Sequence, residues 1–198
     1  MQDINSIKYQ IEGLLQLTKQ YTIIYEDSCE NAPYIHNTTI HIGKCEHWNQ
    51  IYQLSHELLH AAYSENNSKI IDYMYIEEIL CEAFSIYCLK RFCRDEYVLW
   101  KSYLTPYMYY CNGYTKSREI ISSEGITSIQ ELNNKLKEYK TYATRQFIHP
   151  FVLLLVNYID FDFNLLRDTF KYTKYINTIN KPELLECIDI FIKEKQLI

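Results

Sequence analysis

The segment that most constrains the fold of this chain is QLSHELLHAAYSE, residues 53–65. Around it, apolar residues recur three or four positions apart, which is the period of an α-helix with one buried face. Those apolar residues are Ile51, Leu54, Leu58 and Ala62. His56 and His60 are four positions apart, so they lie one above the other on a single face of the predicted helix.

This histidine pair has two interpretations. Two neutral imidazoles at that spacing can bind one zinc ion, and Glu57 between them can serve as the base that takes a proton from water. The alternative is a pair of surface histidines on an ordinary helix. The segment directly follows a predicted strand and its other face is apolar, so we favour the zinc site, with His56 and His60 as ligands and Glu57 as catalytic residue.

A hydrolytic zinc site needs a third protein ligand and an open position for water. The next predicted helix offers carboxylates in IEEILCEAF, where Glu78 and Glu82 are four apart and share a face. We expect Glu78 to complete a His-His-Glu site. Glu82 would accept a hydrogen bond from the far ring nitrogen of a zinc histidine. An acidic face in solvent is the alternative, but the surrounding residues are largely apolar and buried carboxylates need partners.

The pair HELLH and EILCEAFS resembles the gluzincin metallopeptidases, whose second motif is a glutamate, three residues and then an acidic residue. On that pattern Glu78 corresponds to the zinc ligand and Glu82 to the acidic residue behind it. The resemblance covers about residues 1–93. Within the family, the chain is similar to the small cytoplasmic type that includes repressor-cleaving peptidases. Those tend to carry Glu-Ala followed by Phe-Ala, whereas here a phenylalanine directly follows Glu-Ala. Glu77 and Glu82 therefore remain alternatives to Glu78 as the third ligand.

The resemblance implies an α+β, zincin-like fold with an N-terminal helix, a short β-sheet, the H-E-x-x-H helix, a ligand helix and a mostly helical C-terminal half. Hydrophobic periodicity predicts elements in the same order. The predictions are a helix over 3–19, strands over 21–26 and 38–43, a helix capped by Asn49, a helix over 70–91, and later helices over 95–110, 128–144, 146–159, 163–176 and 182–195. Residues 111–128 are polar and are predicted to form a loop.

We interpret residues 1–198 as a single domain. Its minimal zincin-like core would span 1–93, and a helical subdomain over 94–198 would complete the cleft. The strand over 38–43 is expected to border that cleft and to offer a free edge to an extended peptide. His149 is a candidate by position for stabilising the oxyanion of the reaction. Tyr107, Tyr114 and Tyr142 are alternatives by position.

The resemblance implies a zinc-dependent metallopeptidase that hydrolyses peptide bonds of an intracellular regulatory protein. The alternative is a non-catalytic metal-binding regulatory or protein-interaction module. A net charge of −5, spread along the chain, argues against a nucleic-acid partner.

The remaining sequence features concern location. The longest apolar run, residues 151–156, is too short to span a bilayer, and the N-terminus lacks a signal-peptide pattern. The seven cysteines are odd in number and form no CxxC pair, which is typical of reduced thiols. We therefore expect a cytoplasmic protein with a peptide or protein substrate and no membrane partner, and we leave the oligomeric state open.

Overall fold

The computed structural model describes residues 2–27, 33–65, 74–94, 122–128, 131–132 and 134–135. Residues 131–132 and 134–135 have helical backbone and fall within the helix predicted over 128–144. The other helices predicted after residue 94, and the proposed subdomain over 94–198, lie almost entirely outside the described residues. His149, Tyr107, Tyr114 and Tyr142 lie outside them as well, so their roles stay predictions.

Helix α1 runs from Ile4 to Leu15 and buries one apolar stripe in the core. Asp3 caps its N-terminus, because the Asp3 side chain accepts a hydrogen bond from the Ser6 backbone N–H at 3.3 Å. The helix ends earlier than the prediction of 3–19. Gln16 adopts a left-handed conformation with φ of 54°, and its N–H bonds back to the last turn, which stops the helix.

Three short strands form the sheet, in the order β1-β3-β2. Strand β1 is Thr22–Glu26, β2 is Tyr34–His36 and β3 is Thr39–Gly43. The first and third pair in parallel, and β2 pairs antiparallel with β3. β2 was not predicted, since three residues are too few to show an alternating pattern. The expectation that residues 38–43 offer a free edge is therefore wrong, because β3 is the central strand and β2 covers its far side.

Helix α2, His47–Glu65, packs against α1, β2, β3 and the following helix. It begins two residues before Asn49, so Asn49 lies inside the helix and the prediction that it caps the N-terminus is wrong. The predicted apolar face is confirmed by full burial. Its members with no exposed surface are Ile51, Leu54, Leu58 and Ala62.

Helix α3, Met74–Phe92, is buried over most of its circumference. Its core side chains include Ile79, Ala83, Phe84 and Leu89, each with no exposed surface. A helix surrounded in this way can keep ionised carboxylates only where partners meet them. The α+β class is thus confirmed for the described residues, which hold three helices and one three-stranded sheet.

Two further observations concern the described part of the chain. None of its helices is long and apolar enough to cross a membrane. Its four cysteines, Cys45, Cys81, Cys88 and Cys93, form no disulfide, and three of them are buried.

Candidate metal centre

Helix α2 places the two histidines of the HELLH segment in contact. Nε2 of His56 lies 3.1 Å from Nε2 of His60, and the two rings meet edge to face with centroids 4.8 Å apart. The helix buries its apolar side in the core. As a result, both imidazoles point with their Nε2 atoms toward α3.

Helix α3 supplies a carboxylate to the same point. One oxygen of Glu78 lies 3.4 Å from Nε2 of His56, and the other lies 3.3 Å from Nε2 of His60. One ligand atom from each of the three residues falls within 4.8 Å of the others. In the described part of the chain, this is the one group of three or more metal-binding side chains so placed.

The spacing of these donor atoms can be compared with what zinc requires. Tetrahedral coordination with zinc–nitrogen and zinc–oxygen bonds of about 2.0–2.2 Å separates neighbouring ligand atoms by roughly 3.3–3.5 Å. The two Nε2 atoms are 3.1 Å apart, and each lies 3.3 or 3.4 Å from a different oxygen of Glu78, so each pairwise separation is close to that range. Two imidazoles and one carboxylate also leave a fourth position for water or substrate. The residues present therefore fit a zinc ion of the hydrolytic kind.

A second carboxylate of α3 holds the far side of the His60 ring. Glu77 Oε1 lies 2.6 Å from Nδ1 of His60, and the Glu77 side chain is 13% exposed. The spacing of Glu78 and Glu82 predicts such a contact for Glu82 instead, which lies one turn beyond Glu78 on α3 and is 7% exposed. Among the described residues, no hydrogen-bond partner meets the buried Nδ1 of His56, so Glu82 does not hold that ring.

The carboxylate and imidazole groups of this cluster shift one another's pKa values toward their charged forms. Burial alone would raise the pKa of the Glu78 carboxyl, but hydrogen bonds and positive charge from His56 and His60 hold it well below its usual range. Burial alone would likewise lower the pKa of His60. The neighbouring Cys81, Glu77 and Glu78 outweigh burial and raise that pKa well above its ordinary value. The histidines thus pair with the carboxylates while no cation is present, and a cation could take over that pairing when it binds.

Glu57 is buried in the wall of the same site and is only 5% exposed. Burial raises the pKa of its carboxyl. Positive charge on His56 and His60 opposes that rise, and the Glu78 carboxylate adds to it. A carboxylate that is adjacent to the cluster, largely desolvated and absent from the ligand set is the type of group that can accept and return a proton.

The cluster opens onto a cleft of about 750 Å³. Glu57, His56, His60, Glu77 and Glu78 form one side of it. The segment that contains β2 and the turn after it also lines the cleft, with Pro33, Tyr34, Ile35, Asn37 and Thr38. The strand that borders the site is therefore β2, which the sequence did not reveal.

The sequence did carry one usable signal for Glu77. Adjacent helical residues point about 100° apart. Glu77 and Glu78 can therefore reach opposite sides of one ring, a geometry that the four-residue spacing of Glu78 and Glu82 does not provide. The sequence pattern makes Glu77 only an alternative ligand, whereas the structure places it at the nitrogen that faces away from the cluster.

Comparison with known proteins adds no family to this picture: no protein-family model, no curated protein and no solved structure matches the chain. Any function assigned to the site therefore depends on the chemistry and placement of its own residues.

Proposed function

We propose that this protein is a zinc-dependent metallopeptidase, with His56, His60 and Glu78 as metal ligands and Glu57 as the catalytic base. The observation that carries the proposal is the arrangement around His60. Its Nε2 faces His56 and Glu78, while its Nδ1 lies 2.6 Å from a carboxylate. Histidines that bind zinc almost always donate their other ring N–H to such a group.

The proposed chemistry is peptide-bond hydrolysis. A zinc ion held by the cluster would act as a Lewis acid toward the scissile carbonyl and would make water more acidic. Glu57 takes a proton from the attacking water and returns it to the leaving amine, which its buried position beside the ligands favours. The raised pKa of Glu57 makes its carboxylate a stronger base for accepting that proton.

The shape of the cleft supports an extended polypeptide as the substrate. β2 pairs with β3 on one side, and within the described residues no strand covers its other side. A peptide that lies along this edge can form main-chain hydrogen bonds with β2 while its carbonyl approaches the cluster. An intracellular regulatory protein remains the proposed target, on the basis of the sequence resemblance alone.

The second candidate function is a non-catalytic metal-binding regulatory or protein-interaction module. It would need the three ligands but would have no use for Glu57. Burying the Glu57 carboxyl costs stability, and a purely structural metal site gains nothing from it, so its burial beside the ligands favours the enzyme.

The two functions are separated by zinc content and peptide cleavage measured together. The parent should carry about one zinc per chain and cleave members of a quenched fluorescent peptide library. The Glu57→Gln protein should retain zinc and lose cleavage by several orders of magnitude, since Gln cannot accept the proton. Glu46→Gln is a matched control, because Glu46 is an exposed carboxylate just before α2 that does not line the cleft. Cleavage undiminished in Glu57→Gln would exclude the mechanism, and bound zinc without cleavage of any library member would favour the module.

A further inference from the structure

We propose that Glu77 is the positioning residue for His60: it fixes which ring nitrogen of His60 faces the metal, and Glu82 does not share this role. The proposal deepens the proposed function, because it names how one ligand of the same site is oriented. It depends only on the metal-binding part of that function.

The contacts of the His60 ring carry the argument. Glu77 Oε1 lies 2.6 Å from Nδ1, and Glu78 Oε1 lies 3.3 Å from Nε2. The two nitrogens are thus held from opposite sides by neighbouring residues of one helix. The Glu77 oxygen accepts the hydrogen bond of Nδ1–H, so when His60 gives up a proton to bind a metal, the proton leaves Nε2, and Nε2 supplies the lone pair that the metal needs.

Burial makes this contact strong. The side chains of His60 and Glu77 are 20% and 13% exposed, so water competes little for either group. A hydrogen bond between charged partners in such surroundings is shorter and stronger than one between neutral groups. The contact also joins α2 to α3 directly behind the ligand atoms.

The other histidine shows that this support is specific to one ring. Nδ1 of His56 is buried, and no hydrogen-bond partner for it lies in the part of the chain that the structure describes. His56 is therefore oriented by packing and by its contacts at Nε2, whereas His60 has a dedicated carboxylate. Loss of Glu77 should consequently affect His60 and leave the orientation of His56 unchanged.

The test measures zinc affinity and the His60 ring itself. Glu77→Ala should weaken zinc binding about 10- to 100-fold by chelator competition, and Glu77→Gln, which still offers an oxygen acceptor, should weaken it less. Glu82→Gln is the matched control, since it neutralises another buried carboxylate of α3, and it should bind zinc like the parent. In nitrogen-15 NMR spectra of the zinc-loaded proteins, the Nδ1 proton of His60 should be downfield and slow to exchange in the parent. It should move upfield in Glu77→Gln and exchange rapidly in Glu77→Ala.

The proposal is overturned if zinc affinity and the His60 Nδ1 proton are unchanged in both Glu77 variants, or if Glu82→Gln alters them as much as Glu77→Gln does. If Glu77→Ala fails to fold, Glu77→Gln decides the question alone, because it is isosteric. These results are independent of catalysis. A parent that binds zinc but cleaves no peptide would refute the peptidase, yet the affinity and NMR comparisons would still decide the role of Glu77.

Discussion

Nε2 of His56 and Nε2 of His60 lie 3.1 Å apart, and the two carboxylate oxygens of Glu78 lie one beside each, at 3.4 Å from His56 and 3.3 Å from His60. Two imidazole nitrogens this close cannot both carry protons without repulsion, so at most one of them donates to the other. A zinc ion would replace that shared proton with bonds to all three residues. Zinc binding should therefore release protons, and each ligand should be needed.

The first prediction concerns the two histidines. His60→Ala and His56→Ala should each abolish binding of one zinc per chain, because two remaining ligands do not hold zinc tightly. Atomic absorption after dialysis against a weak chelator measures this directly. His47→Ala, a change in the first turn of the same helix, should keep full zinc. Retention of full zinc by His60→Ala would rule out the assigned ligand set.

The second prediction ranks the carboxylates of α3. Glu78→Ala should reduce zinc affinity most, since Glu78 alone among them contacts both histidine Nε2 atoms. Glu77→Ala should follow, and Glu82→Gln should be close to the parent. Zinc titrations of the three variants give the order. If Glu82→Gln loses zinc while Glu78→Ala retains it, the ligand lies one turn further along the helix than we propose.

Much of this site could be predicted because its main residues lie on helices. A four-residue spacing on α2 specifies that His56 and His60 share a face, whatever surrounds the helix. The acidic residues of α3 were identified from their apolar neighbours. Their separate roles could not be predicted, because the rotation and axial shift of α3 against α2 decide whether Glu77, Glu78 or Glu82 meets each ring. The rotation and the shift depend on how the two helices pack, which the sequence pattern does not show.

The strands of the sheet could be predicted only in part. β1 and β3 have several β-forming residues each, so their composition identified them. β2 has only three residues, and its place beside β3 depends on a two-residue turn rather than on a hydrophobic pattern. Without β2, the strand over 38–43 was expected to have a free edge, whereas β2 occupies that edge and lines the cleft.

The third prediction tests the β2 hairpin. Asn37 has φ of 56°, a left-handed conformation that asparagine tolerates and β-branched residues resist. Asn37→Val should therefore destabilise the fold by about 1–2 kcal/mol, and Asn37→Gly should be near neutral. Urea unfolding followed by circular dichroism measures both. Because Asn37 also lines the cleft, the valine variant should raise KM for peptides more than it lowers kcat. Equal stability of the two variants would contradict the assigned turn.

The fourth prediction concerns Glu65, which ties the end of α2 to the segment between α1 and β1. Its carboxylate accepts hydrogen bonds from the backbone N–H and hydroxyl of Thr18, both at 2.7 Å, from the Lys19 N–H at 3.0 Å and from the Tyr21 hydroxyl at 2.9 Å. Gln at this position is neutral and cannot accept all four equally well. Glu65→Gln should lower the free energy of unfolding at pH 7 by roughly 1–2 kcal/mol, whereas Glu46→Gln should change it little.

The difference in unfolding free energy between the parent and Glu65→Gln should depend on pH, and the direction of that dependence follows from the pKa of Glu65. Burial alone would raise the pKa of Glu65, but the hydrogen bonds from Thr18, Tyr21 and Lys19 outweigh it and lower the pKa below its ordinary value of 4.5. A lowered folded-state pKa means that the ionised carboxylate stabilises the fold above the unfolded-state pKa, and that this stabilisation is lost as the pH falls through the folded-state pKa. In urea titrations of metal-free protein, the gap between the parent and Glu65→Gln should stay constant from pH 7 to about pH 5.5 and narrow below about pH 4.5. A gap that widens on acidification would show that the carboxylate is not stabilised by these bonds.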